Sequence, residues 1–280
     1  MKRPDFHSTI RMAVAFGVAL VSIGFFLHAA IFAKGKAMTL KLTTIVDNHV
    51  LKAGLLKDWG FSCLVEWQGK NLLFDTGHDP DVFIHNLTAL SIDPKSIPVI
   101  FLSHIHADHT GGVMAFLKRN PSVKIYVPVS FPDSFVHQME SMGAVVIRVS
   151  HSVEILPGMF STGELPGHPV NEQSLIIRTP EGLVIITGCS HPGILAILKR
   201  SQSLFEDPIF LVLGGFHLAW TPDARVREIV DAFKKLGVQY VAPSHCTGDD
   251  AEAIFKTEFG KNFIQTGAGS HLSWMMSRNN

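Results

Sequence analysis

Three imidazoles and a carboxylate stand within six residues, His104-Ile-His106-Ala-Asp108-His109. With 15 His in 280 residues, this arrangement arises by chance roughly once in five hundred sequences of the same composition. Its spacing has a chemical reading. Residues two apart on an extended strand end point the same way, so His104 and His106 can present their rings to one ion. Once the chain turns, Asp108 and His109 can reach a second ion a few ångströms away. Imidazole with carboxylate is a donor set for zinc or iron rather than calcium. Two such ions lower the pKa of a shared water toward about 7 and can hold a phosphate or carbonyl oxygen. That chemistry serves hydrolysis of esters, amides or phosphoesters.

Two imidazoles do not close a coordination sphere, so further ligands must arrive from distant segments. Four single histidines stand where an apolar run ends or begins: His168 in Pro166-Gly-His-Pro169, His191 in Gly188-Cys-Ser-His191, His217 in Gly214-Gly-Phe-His217, and His245 in Pro243-Ser-His245. Each is a candidate ligand, or else a group that orders the loops around one.

The elements that must position these side chains follow from periodicity. Short β-rich runs alternate with amphipathic stretches, the pattern of an α/β domain. Strands are predicted over 40–47, 61–67, 71–75, 98–103, 123–127, 174–178, 183–187, 209–213 and 239–242. Helices are predicted over 80–90, 112–119, 132–142, 193–201 and 222–236, with Pro80, Pro132 and Pro222 in first turns and Gly237 just past an end. The run Asn71-Leu-Leu-Phe-Asp-Thr-Gly77 has an echo in Gly182-Leu-Val-Ile-Ile-Thr-Gly188. Two such halves would let two sheets pack face to face, with helices outside and strand ends converging on one edge.

The composition excludes several functions. The 24 basic and 24 acidic side chains cancel, which argues against nucleic-acid binding through a strong positive field. No Walker-type loop or dinucleotide glycine fingerprint is present. The expected partner is a small-molecule substrate, a phosphate-bearing one included. Three cysteines make no disulfide framework. Cys63 reads as a small buried hydrophobe, whereas Cys189 and Cys246 flank proposed ligands and pack behind them or offer a thiolate. Before residue 38, Lys2, Arg3 and Arg11 precede an apolar run over 12–33. We read residues 1–37 as an export signal or an uncleaved membrane anchor, which puts residues 38–280, the catalytic domain, in a periplasmic or extracellular place or at a membrane.

The motif at 104–109, Phe74-Asp-Thr-Gly77 and the His-bearing strand ends resemble the metallo-β-lactamase fold superfamily. Val46-Asp-Asn48, Asn171-Glu-Gln173, Gly188-Cys-Ser-His-Pro-Gly193, Gly214-Gly-Phe-His-Leu218 and His245-Cys-Thr-Gly248 are similar to the branch named for dihydropterin–ribofuranosylaminobenzene phosphate synthase. The resemblance covers about residues 40–270. It implies an αββα sandwich of two mixed sheets and a metal-dependent hydrolase or transferase. Two zinc ions are expected, with iron or manganese as alternatives, and the competing functions are a di-iron redox enzyme and a dihydropterin-type synthase releasing pyrophosphate. His104 and His106 would bind the first metal, and Asp108, His109 and His245 the second. The superfamily completes the first site from a Pro-Gly-His loop, here His168, whereas the branch pattern favours His191, which we prefer. Cys189 stands where the superfamily carries a bridging Asp. Asp75 is expected to accept a ring N–H from a ligand His. Asn48, His217 and Thr247 are candidates to contact substrate or donate a proton, and Asp108, His217 and Asn48 form the expected catalytic set.

Overall fold

The computed structural model describes residues 38–276. The expected signal or anchor over 1–37 lies outside the described residues. Among the described residues no helix is long and apolar enough to cross a membrane.

The first sheet starts as an antiparallel meander of β1 (Met38–Val46), β2 (Ser62–Trp67) and β3 (Lys70–Phe74). Helix α1 (Pro80–Ala89) carries the chain over to β4 (Val99–Phe101), which lies parallel to β3. Two short helices, α2 (Ala107–Thr110) and α3 (Val113–Leu117), lead to β5 (Lys124–Pro128), and α4 (Asp133–Ser141) leads to β6 (Val145–Val149). Both strands continue the parallel half.

The second sheet runs antiparallel through β7 (Val153–Leu156), β8 (Met159–Ser161), β9 (Leu175–Thr179) and β10 (Gly182–Thr187). It then turns parallel through α5 (Ile194–Leu204), β11 (Ile209–Gly215), α6 (Asp223–Lys235) and β12 (Tyr240–Ser244). After α7 (Asp249–Phe259), β13 (His271–Met276) pairs antiparallel with β1. The sheet orders are β13-β1-β2-β3-β4-β5-β6 and β12-β11-β10-β9-β8-β7. The echoed runs occupy matching places: β3 and β10 each pair antiparallel with the strand before and parallel with the strand after.

Alternation along the strands builds the layers, because successive side chains leave opposite faces. Cys63, Val65 and Trp67 of β2 join Val184 and Ile186 of β10 in a core between the sheets. The intervening Leu64 packs under the helices of the first half, while Leu183 and Ile185 pack under α5, α6 and α7. Helix, sheet, sheet, helix is the resulting order of layers. Cys63 is fully buried in the middle one, as its apolar setting predicts.

Elements β6, β7, β8, β13, α2 and α7 go beyond the sequence expectation. The edge strand β6 keeps Val145 58 % exposed, and the β7–β8 hairpin is too short for periodicity to register. Helix α7 follows Gly248 with Asp249, Asp250 and Glu252 in its first turn, where the helix dipole favours acids. Pro132 and Pro222 cap α4 and α6 from one position outside rather than sitting within the first turn.

Candidate metal centre

The C-terminal ends of β1, β3, β4, β10, β11 and β12 deliver Asn48, Asp75, His104–His109, Cys189–His191, His217 and His245 to one edge of the sandwich. Backbone bonds fix the first-half loops against each other. Thr76 N–H donates to His109 O (2.8 Å), Gly111 N–H to Gly77 O (2.9 Å), and Phe61 N–H to Asp108 O (3.2 Å).

Two groups of donors result. His104, His106 and His191 place one ligand atom each within 4.8 Å of one another, and so do Asp108, His109, Cys189 and His245. In the first group His191 Nε2 lies 3.2 Å from His106 Nδ1. In the second, His109 Nε2 lies 3.2 Å from Cys189 Sγ, and Asp108 Oδ2 lies 3.2 Å from His245 Nε2. His168 joins neither group. It is exposed on the loop between β8 and β9, so the Pro-Gly-His loop does not carry a ring to the centre.

Hydrogen bonds on the far side of three rings set which nitrogen keeps its lone pair. Buried Asp75 accepts from Ser103 N–H (2.7 Å), from Ser103 Oγ (2.7 Å) and from His109 Nδ1 (2.6 Å). With its hydroxyl proton given to Asp75, Ser103 Oγ accepts from His104 Nδ1 at 2.9 Å. Asn48 Oδ1 accepts from His245 Nδ1 at 3.1 Å, while Asn48 Nδ2 donates to His245 O at 3.1 Å. Each bond turns Nε2 of His104, His109 and His245 inward. His104 Nε2 and His245 Nε2 are buried and make no hydrogen bond, and His191 Nδ1 is a third such orphan. Buried nitrogens without partners are costly, and cations placed among them would remove that cost. The donor set therefore fits metal ions.

Electrostatics agree. Burial first, then the neighbouring imidazoles, hold His104 well below the ordinary histidine range and bring His191 down to about 4. Both rings are thus neutral at physiological pH, the form that ligates. Burial opposes the charge on His109, but Asp75 outweighs it and lifts this ring to about 9, so an ion bound at Nε2 must displace a proton that the ring otherwise keeps at neutral pH. Against burial, the ring of His245 close by at 3.2 Å and the charge of His109 keep Asp108 ionised, well below the usual carboxylate range. The bond to Cys246, then burial, pushes Cys189 up, while Cys189 and His217 hold Cys246 down against its own burial.

One residue that positions this centre had no assigned role in the sequence reading. Glu172, fully buried, accepts the backbone N–H groups of Gly188, Cys189 and Ser190 on Oε1 (3.1, 3.1 and 3.0 Å) and of His191 on Oε2 (2.8 Å). It shapes the loop that carries one donor to each group. Burial pushes its carboxyl to about 7. Its neighbour Gln173 ties the sheets together, donating to Leu102 O (2.9 Å) and Tyr126 O (3.2 Å) and accepting from Ser161 Oγ (2.8 Å). The only sequence signal for either was a motif, Asn171-Glu-Gln173, whose mechanics become visible in the fold.

The family model of the metallo-β-lactamase superfamily matches residues 60–245, a span that includes every donor named above. The chain belongs to the metallo-β-lactamase superfamily. It is 31 % identical over 289 aligned positions, covering 86 % of this chain and 98 % of the relative, to 7,8-dihydropterin-6-methyl-4-(beta-D-ribofuranosyl)-aminobenzene-5'-phosphate synthase of Methanocaldococcus jannaschii. Among solved structures it is similar to Tm1679, a metal-dependent hydrolase of the β-lactamase superfamily, with TM-score 0.69 and 31 % identity over 83 % of this chain and 98 % of that one. The metallo-β-lactamase fold protein YhfI of Bacillus subtilis shares the fold at TM-score 0.65 and 16 % identity, over 85 % and 100 % of the two chains.

Within this superfamily scaffold, a third donor group stands beside the other two. Cys189, His217 and Cys246 also bring ligand atoms within 4.8 Å. The ring of exposed His217 lies 4.7 Å from that of His191. Trp59, 49 % exposed, sets its indole 4.9 Å from the ring of His245.

Proposed function

We propose that the protein is a metal-dependent enzyme, dinuclear and zinc-loaded, that hydrolyses or transfers a group of a small, phosphate-bearing substrate. The observation that carries this reading is the set of inward-facing Nε2 atoms on His104, His109 and His245, each aimed by a hydrogen bond behind the ring. A pair of bound zinc ions supplies Lewis acidity and a nucleophilic water at neutral pH. The sulfur of Cys189 in the second group, which a bound ion would deprotonate, favours zinc over iron without sulfur clusters, which weighs against the di-iron redox alternative. The similar proteins carry two reaction names, a synthase and a hydrolase, so both transfer and hydrolysis belong to the proposal.

His104, His106 and His191 hold the first ion, and Asp108, His109, Cys189 and His245 the second. Asp108 Oδ2, kept ionised beside His245, accepts the proton that an attacking water releases. His217, exposed and held above the ordinary histidine value first by its bond to Cys246, meets the anionic part of the substrate and protonates the leaving oxygen. Asn48 works through His245, which it grips from both sides, and is a positioning residue. Trp59, 49 % exposed with its indole 4.9 Å from the ring of His245, suits a substrate with a flat or apolar portion. The sequence of residues 1–37 further supports action beyond the cytoplasm, and a C-terminal reporter fusion active only in the cytoplasm would refute that part.

Metal analysis of the purified chain with phosphodiesterase and ester screens tests the whole. The wild type is expected to carry at least two equivalents of zinc and to lose activity on chelation. His106→Ala should lose the first ion and slow turnover by roughly 100-fold or more, the scale of removing a transition-state charge stabiliser. Less than one equivalent in the wild type, or full activity in the variant, refutes it.

A further inference from the structure

The second and third donor groups share one atom, Cys189 Sγ, and the residues that complete the third are not needed by the other two. We propose that Cys189, His217 and Cys246 form a binding position for a third, thiophilic divalent ion, with the Cys189 sulfur bridging it to the ion held by Asp108, His109 and His245. The inference rests on the dinuclear reading above and adds a position to it.

Three observations carry it. The first is proximity of the right atoms: two sulfurs and one ring nitrogen all lie within 4.8 Å of one another, so closing by roughly 1 Å brings them to bonds of about 2.3 Å to sulfur and 2.0–2.1 Å to nitrogen from one centre. Two thiolates and a neutral imidazole cancel the charge of a divalent ion, and soft sulfur donors select zinc, cadmium or copper(I) over magnesium or calcium.

The second is space made for sulfur. A methyl group on Gly215, at the end of β11, would meet Cys246 Sγ at 2.6 Å and Cys189 Cα at 3.3 Å. Only a residue without Cβ lets both cysteines close on this strand end.

The third is a backbone held out of its ordinary range. His217 has φ +56°, a conformation that non-glycine residues adopt at a cost and that clusters at functional sites. It is over-determined from both sides. Phe216 N–H donates to Thr247 Oγ1 at 3.0 Å. Leu218 N–H and Ala219 N–H both donate to Cys246 O, at 3.2 and 3.3 Å. The same carbonyl that belongs to one proposed ligand therefore fixes the loop of another. His217 is exposed whereas both cysteines are buried, so the ion would sit at the solvent edge with three protein ligands and an open fourth position, the pattern of a reactive rather than a structural site. Filling it withdraws His217 from the substrate, which makes occupancy a brake on turnover.

Cobalt(II) titration of the full, metal-stripped chain tests the proposal. Three equivalents are expected to bind, with a near-ultraviolet sulfur-to-cobalt charge-transfer band that grows again as the third enters. Cys246→Ser should lose the third equivalent and most of that last increment while keeping two equivalents. His217→Asn, at an exposed position where Asn tolerates positive φ, provides a variant that keeps the fold, checked by circular dichroism, and should lose the same equivalent. Saturation at two equivalents in the wild type, a band undiminished in both variants, or a Cys189–Cys246 disulfide in the loaded protein overturns the proposal. Those outcomes leave two bound ions in place, whereas failure of the dinuclear reading shows as no tightly bound metal at all.

Discussion

Gly111→Ala sets two effects of opposite sign against each other. Gly111 has φ −60° and ψ −38°, a conformation alanine prefers, so local propensity alone promises a gain of up to about 1 kcal/mol. The tertiary surroundings oppose it. The added methyl would lie 2.6 Å from the carbonyl carbon of His78, and closer still to its oxygen. Carbon contacts settle near 3.5–4.0 Å, so the two segments must part by roughly 1 Å. Parting them weakens Gly111 N–H to Gly77 O and Thr76 N–H to His109 O, at about 1 kcal/mol each. Overpacking adds about 1–3 kcal/mol. After the propensity gain is subtracted, the variant is expected to lose about 2–4 kcal/mol. For a domain of this size that is a fall in Tm of roughly 4–16 °C. The same movement carries Asp108 and His109 away from Asp75, and ligand constellations tolerate only about 0.5 Å. Zinc affinity at the second group should therefore drop tenfold or more. Scanning calorimetry of the metal-free protein and competition with a chelator measure the two effects. A variant with Tm equal to or above the parent and unchanged affinity would show that propensity wins and that the close approach of residues 78 and 111 is not a constraint.

Asp75→Asn should weaken zinc binding by roughly 10–100-fold, because an amide cannot accept all three hydrogen bonds from Ser103 and His109; unchanged affinity in chelator competition would count against Asp75 as the group that orients His109. A pH effect is expected at Glu252, 7 % exposed, which burial first and then the charges of Asp47 and Asp249 lift from an ordinary 4.5 to about 8. Its folded value lies above its unfolded one, so its contribution is fully present below about pH 4.5 and is lost as pH rises through about 8. At 1.36 kcal/mol per pH unit the loss is at most about 5 kcal/mol. Denaturant melts of metal-free wild type between about pH 5 and 9 should show this decline, and Glu252→Gln should flatten it; equal slopes in the two proteins refute the assignment.

The local grammar of the chain set much of this architecture. Short apolar runs mark β1, β2, β3, β9, β10 and β11, because each of a strand's two faces meets its own layer and both are buried. His104, His106, Asp108 and His109 declare themselves the same way: their spacing is a property of six consecutive residues, and the turn after β4 needs little else to aim them. Elements whose existence depends on a remote partner were not legible. Strand β13 alternates only weakly in burial and is held by β1, more than 220 residues earlier, through pairs such as Leu40 with Trp274. The edge strand β6 and the hairpin of β7 and β8 are too exposed or too short to carry a period.

By sequence, the choice of His191 over His168 for the first donor group rests on the Gly188-Cys-Ser-His191 motif alone, which carries no physical reason within its own residues. The tertiary structure decides between them through Glu172, a buried carboxylate 19 residues away in sequence from His191 that gathers four N–H groups and turns the 188–191 loop inward. The meeting of Cys189, His217 and Cys246 has the same origin. Residue types and short spacings are carried by adjacent covalent positions, so the sequence by itself determines which donors exist and how the first four are aimed. The distances among donors from β4, β10, β11 and β12 depend on how two sheets stack and where their strands end, and packing alone settles that.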